Sequence, residues 1–303
     1  MRLGACVIAA TALGGCAAHR PPAAALSPAS VETFVEKVRQ LSAAARPPRS
    51  NEADTLERRD PELSEARLML VVAPTAGNHR RVAEAYARLG VFDAAYDHFS
   101  AALRLEPHDA ASDDGLARIW RDWGFPHLGL TDAYRAIYYA PDSPVPQNTL
   151  GTLLLKMGRP AEARRAFERA LALDPRAPYV LNNLCYTDLL TGYSAPAIAR
   201  CRSAVRAQPD LTAAHNNLAL AYAAAGEMAA AAQEFSLATS LAAARYNMGV
   251  ALMATRRFDA AARAFDDAAT LIPSVAHARD RARQARTLAT GSAAERVDDH
   301  KTR

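Results

Sequence analysis

Glycine is scarce in this chain, with 14 among 303 residues. Sandwiches and barrels need many tight turns, so this scarcity argues against both. Lysine is scarcer still. It occurs only at Lys37, Lys156 and Lys301, and the rest of the 36 basic residues are arginine. The net charge of +4 is small against 36 basic and 32 acidic residues, and no basic stripe marks a nucleic-acid partner. The eight histidines form no HExxH and no close Cys/His cluster, so no metal site is expected. GxxxxGK[ST], GxSxG and a strand leading into GxGxxG are all missing. These absences point away from an enzyme and imply no cofactor. What is present is apolar bulk. Half of the residues are hydrophobic and 22% are charged, enough to build a core and to exclude wholesale disorder.

The prolines disclose a period. Pro107, Pro141, Pro175 and Pro209 are each 34 residues apart. A small residue recurs at Ala83, Ala117, Gly151, Cys185 and Ala219, and a glycine at Gly90, Gly124, Gly158, Gly192 and Gly226. Two further small columns run through Ala95, Gly129, Ala163, Ala197 and Ala231, and through Ala102, Ala136, Ala170, Ala204 and Ala238. Large apolar residues lie between them, among them Val82, Leu116, Leu150, Leu184 and Leu218, and Phe99, Phe167 and Phe235. Each unit therefore reads as two amphipathic helices broken at the glycine, which suits a left-handed C-cap. Pro126 and Pro160 fall near the start of a second helix, where a missing N–H costs little.

This pattern resembles the tetratricopeptide repeat (TPR), a 34-residue helix-turn-helix. The resemblance implies an all-α solenoid of about six repeats, at 76–109, 110–143, 144–177, 178–211, 212–241 and 242–273. The fifth is shortened by four residues, about one helical turn, and in the sixth Arg256 replaces the glycine. A capping helix is expected over 274–290 and a disordered tail over 291–303. Upstream, 30–75 reads as N-terminal helices or a degenerate repeat, with Asp60-Pro61 opening a helix over Leu63–Val72.

Residues 1–15 read as a signal peptide: Arg2 precedes an apolar run, Leu3 to Gly15. As a helix that run would rise only about 20 Å, short of a bilayer core of roughly 30 Å. Leu13-Gly14-Gly15-Cys16 resembles the lipobox of bacterial lipoproteins, which implies that Cys16 carries lipid. Ala17 after it favours the periplasmic face of the outer membrane by the same analogy. Residues 16–29, with three prolines, read as a tether.

By the TPR resemblance, the first helix of each unit lines a concave groove. The implied lining residues are Arg80, Glu84 and Arg88; Asp114, Arg118 and Arg121; Asn148 and Thr152; Asn182 and Tyr186; Asn216 and Leu220; and Tyr246 and Val250. Asn148, Asn182 and Asn216 recur at the repeat period, and each amide offers a donor and an acceptor to the main chain of an extended peptide. The alternative is that asparagine near a helix start bonds nearby backbone; Asn183, Asn217 and Asn247 are expected to do so. Cys185 and Cys201 should lie roughly opposite each other, either bridged or as two buried thiols. Asp188 occupies a column otherwise held by Tyr86, Trp120, Leu154, Tyr222 and Leu252. A buried carboxylate is costly unless paired. Either this helix is rotated so that Tyr186 packs instead, which is the expectation, or Asp188 is a site.

Among TPR lipoproteins the chain is most similar to the TadD type, on the lipobox, the Asn-Asn-Leu-Ala run at 216–219 and Arg245-Tyr246-Asn247-Met248-Gly249. This resemblance implies a non-enzymatic scaffold that binds envelope proteins, or peptide segments of them, during assembly of a Tad-type pilus or secretion system. A pilotin-like secretin chaperone, or an adaptor for peptidoglycan enzymes or outer-membrane assembly factors, is the alternative.

Overall fold

The structure, a computed structural model, describes residues 59–272 and 276–301, and only the backbone of 291–301. The expected signal peptide, Cys16 with its tether, and the part of the expected N-terminal helices before residue 59 lie outside the described residues. Among those residues there are fourteen helices and no strand. They are α1 (Pro61–Val72), α2 (Ala76–Arg88), α3 (Phe92–Leu105), α4 (Ala110–Asp122), α5 (Leu130–Tyr139), α6 (Pro144–Lys156) and α7 (Pro160–Leu173). Then come α8 (Pro178–Leu190), α9 (Ser194–Ala207), α10 (Thr212–Ala224), α11 (Met228–Ala238), α12 (Leu241–Ala254), α13 (Phe258–Leu271) and α14 (Ala276–Lys301).

From α2 to α13 the helices pair as six hairpins. Each second helix packs on its own first helix and on the first helix of the next unit. First helices also pack on successive first helices, whereas successive second helices do not to any comparable extent. The first helices therefore form the closely spaced, inner side of the stack, and the groove is theirs.

Side-chain size explains how the hairpins close. The rings of Phe167 and Phe265 are fully buried against Gly151 and Gly249 within their own hairpins, and the Phe99 ring is buried against Gly115 of the next unit. A Cβ on Gly151 would sit 2.4 Å from the Phe167 ring, so only glycine admits it. In the second unit the phenylalanine column holds Ala133, and the helices close further: a Cβ on Gly129 would meet the Ala117 carbonyl at 2.8 Å. In that unit residues 125–129 form turns, and α5 starts only at Leu130. Pro126 is thus not at a helix start, unlike Pro160, the first residue of α7.

Cys185 and Cys201 occupy the same two columns as Gly151 and Phe167. Their sulfurs are bonded, with 5.4 Å between Cα atoms, and both residues are fully buried. A covalent bridge stands here where the third and sixth units place a ring over a glycine.

Asp60 caps α1 through a 2.8 Å bond from the Leu63 N–H, with Pro61 as first residue. At the other end Ala278, Ala282 and Ala285 are buried against α13. The tail expected to be disordered from 291 is instead helical through Lys301. Ala293, Ala294, Glu295 and Arg296 are good helix formers, and extending a helix already formed needs no new nucleus, which offsets the cost of about 1 kcal/mol at Gly291.

The hairpin glycines have positive φ, 72° at Gly158, and Arg256 takes the same conformation at φ 58°. A side chain there costs roughly 1–2 kcal/mol, partly returned by the glycine's extra chain entropy when unfolded. Arg256→Gly is expected to raise the unfolding free energy by about 0.5–1 kcal/mol. A higher urea midpoint at unchanged slope checks this. No gain would mean that the Arg256 guanidinium over the Phe258 ring, 5.7 Å from its centroid, is worth as much as the strain.

Candidate protein-binding groove

The asparagines of the first helices form a ladder. Asn183 Nδ2 donates to Asn148 Oδ1 at 2.8 Å, Asn217 Nδ2 to Asn182 Oδ1 at 2.9 Å, and Asn247 Nδ2 to Asn216 Oδ1 at 2.9 Å. Asn183, Asn217 and Asn247 thus bond a side chain of the preceding unit rather than nearby backbone, as was expected of them. Each link clamps one first helix to the next. It also leaves the Nδ2 of Asn148, Asn182 and Asn216, and the Oδ1 of their partners, without a hydrogen bond among the described residues. All six residues are half-buried.

Beside the amide row runs the column Thr152, Tyr186, Leu220, Val250. Tyr186 and Val250 are exposed and Leu220 half-buried. Thr152 is already engaged: its hydroxyl donates to the Thr149 carbonyl (2.8 Å) and accepts from Arg121 (3.0 Å). Tyr246 departs from expectation. It stands in the Asn148 column but lies half-buried, edge-on to the Phe265 ring at 5.3 Å, within the core of the last unit.

The charged end is largely self-paired. Arg88 also departs from expectation: it grips the Asp60 carboxylate with two bonds (2.7 and 2.9 Å) and reaches Glu62 (3.0 Å), so it ties α2 to the start of α1. Arg80 bonds Asp109, the N-cap of α4, at 2.7 Å, and Arg118 bonds Asp114 at 2.9 Å. Glu84, Asp114 and Arg118 line a cavity of about 840 Å³ formed with the loops after α3 and α5.

The rotation expected of α8 does not occur. Asp188 is fully buried, and Tyr186 is the exposed residue. Arg164 from α7 reaches Asp188 Oδ1 at 3.0 Å, and Arg200 from α9 bonds Oδ2. Glu168 pairs with both arginines, at 3.0 and 3.8 Å. Two cations from two other helices offset the cost of burying this carboxylate. Asp113 and Asp132 were not singled out from the sequence. Burial pushes Asp113 up to about 6 even though Arg135 lies 3.4 Å away. Burial, then the Asp113 charge, pushes Asp132 up to about 7.

His215, buried on α10, has an acceptor at each ring nitrogen: Glu234 Oε2 at 2.7 Å and the Pro209 carbonyl at 2.9 Å. Both can be satisfied only by the doubly protonated ring. Burial opposes that charge, but the bonds to Glu234 and Pro209 outweigh it and the His215 pKa is raised. Its contribution to stability is therefore complete below the unfolded value of about 6.5 and is lost as pH rises through the folded value. His215→Ala should cost more stability at pH 6 than at pH 8.5, as read by urea unfolding at both pH values; equal costs would refute the charged ring.

Comparison with known proteins places the fold. A family model described as "Tetratricopeptide repeat" (TPR_2) matches residues 146–177, one unit of the stack. No curated protein matches the chain. Among solved structures it is similar to the APC/C hetero-tetramer Cut9-Hcn1, with 17% identity over 76% of this chain and a TM-score of 0.64. The match spans about half of that longer chain (46%). It is similar to PilW, titled a widely conserved type IV pilus biogenesis factor, at 21% identity over 68% of this chain and 96% of that one, TM-score 0.59. It is also similar to Pseudomonas aeruginosa pilF, at 18% identity over 73% and 98%, TM-score 0.56. The fold is a TPR α-solenoid.

Proposed function

We propose that the chain is a non-enzymatic scaffold that holds an extended segment of another envelope protein in its groove, tethered by lipid on Cys16 to the periplasmic face of the outer membrane. The observation that carries this reading is the amide ladder. It presents free N–H donors at Asn148, Asn182 and Asn216 and free carbonyls beside them, with an apolar column alongside. An extended main chain has that alternation of donors and acceptors, and Tyr186, Leu220 and Val250 can take its apolar side chains. A buried disulfide suits an exported protein. We read the machine served as a Tad-type pilus or secretion system. The lipobox supports this, and so does the likeness of fold to PilW, a widely conserved type IV pilus biogenesis factor. Lipid anchoring would raise the local concentration of scaffold around its partner.

The test is crosslinking and pull-down from envelope membranes of cells making the lipidated protein. Asn148→Ala, Asn182→Ala and Asn216→Ala together should reduce partner capture at least about tenfold while helicity persists. Cys16→Ala should move the protein to the soluble fraction. Unchanged capture would remove the amide row from the binding surface, and membrane retention of the Cys16 variant would remove the anchor.

A further inference from the structure

The amide row starts at Asn148, and the 840 Å³ cavity lies on the N-terminal side of it, a size usual for ligand sites. Its walls carry four carboxylates, Glu84, Glu106, Asp109 and Asp114, and one cation, Arg118. Arg80 reaches only Asp109. Asp114 is the informative group. It is 3% exposed, and its Oδ2 accepts from Arg118 Nε at 2.9 Å. Its Oδ1 is buried and accepts no hydrogen bond within the protein. A carboxyl oxygen left this way beside an arginine pair is an acceptor awaiting a donor, because buried polar atoms are otherwise almost always paired. Glu84 adds a second, exposed carboxylate. The remaining wall is mixed: His108 and Ser143 contribute polar groups, while exposed Leu105 and Val145, with Pro107 and Pro146 beside them, make an open apolar side.

A ligand matched to these walls has an apolar stem and a cationic head with several donors. Arginine has that form, with three methylenes and a planar fork of five N–H groups, and lysine has it with a point charge. We propose that this cavity receives a basic side chain, arginine foremost, from a protein segment bound to the scaffold, with Asp114 Oδ1 and Glu84 as its acceptors. The site is separate from the amide row and does not depend on it. Together the two would set a sequence preference: a basic residue at one end of the bound segment and apolar residues toward the other.

The experiment uses the full chain and a fluorescently labelled hexapeptide, Ala-Pro-Arg-Pro-Ala-Ala, read by anisotropy. Its controls are the same peptide with neutral, isosteric citrulline, and free argininamide as competitor. The arginine peptide is expected to bind at least about tenfold more tightly than the citrulline peptide. Asp114→Asn and the exposed Glu84→Gln should each reduce that preference, and the triple alanine variant at Asn148, Asn182 and Asn216 should keep it. Equal binding of the two peptides, or a preference untouched by Glu84→Gln and by a folded Asp114→Asn, would overturn the assignment. Argininamide competing as well as unlabelled peptide would overturn the choice of a protein segment in favour of a free small cation. Loss of the preference in the triple alanine variant would overturn the separateness of the two sites.

Discussion

Phe167→Ala is expected to lower the unfolding free energy by about 3–5 kcal/mol, among the larger effects of any single substitution in the stack. The ring is fully buried, and it fills the space that Gly151 leaves by lacking a Cβ. Removing it empties the contact on both sides, and α6 and α7 cannot simply close together, because their backbones are held by the hairpin at Gly158. The place of the substitution matters as much as its size. In a solenoid each unit touches only its neighbours, so weakening the third of six lets the flanking parts melt separately. Urea unfolding followed by circular dichroism should change from one transition to two. A single transition with a loss below about 1 kcal/mol would show that the ring is not what holds this hairpin.

Replacing Cys185 and Cys201 together by alanine is expected to cost about 3 kcal/mol, the loop-closure value for a bridge spanning about 15 residues. The sequence separation here is 16. Because both residues are fully buried, reductant should act on the native protein only through unfolding. The column equivalence gives a sharper arm. Cys185→Gly with Cys201→Phe recreates the pair found at Gly151 and Phe167, and should unfold within about 1.5 kcal/mol of the bridged protein. If the double alanine variant is as stable as the bridged protein, the bridge contributes nothing. If the Gly/Phe variant is no better than double alanine, the two columns are not interchangeable.

The repeat was legible because its signal is local: prolines that end helices, glycines that turn hairpins, and side-chain size. Small residues facing large ones are a short-range packing fact, and the period of 34 repeats those columns even where the residues filling them change. The ladder was half legible. Asn182-Asn183 and Asn216-Asn217 are doublets, and the donor lies 35 residues after its acceptor in two links and 31 in the third, where the unit is four residues shorter. The doublet was visible, but the offset that pairs it across units depends on how closely first helices approach, which spacing along one chain does not state. Asp188 was misjudged for a related reason. Its cost was weighed against its own helix, whereas its partners Arg164 and Arg200 come from α7 and α9. Arg88 and Tyr246 were assigned to the groove from their column. The first is drawn off by Asp60 and the second by Phe265. A column fixes the face of a helix, not whether a neighbour has already claimed the side chain.

All three amide links run in one sense, the later residue giving its proton and the earlier one its oxygen. The row consequently has a head and a tail, with amide dipoles aligned rather than alternating. A strand laid along it meets the same order of partners at every step in one orientation and the opposite order when turned round. If the groove holds an extended segment as proposed, it would thereby distinguish the two directions of that segment, even one whose side chains read alike both ways.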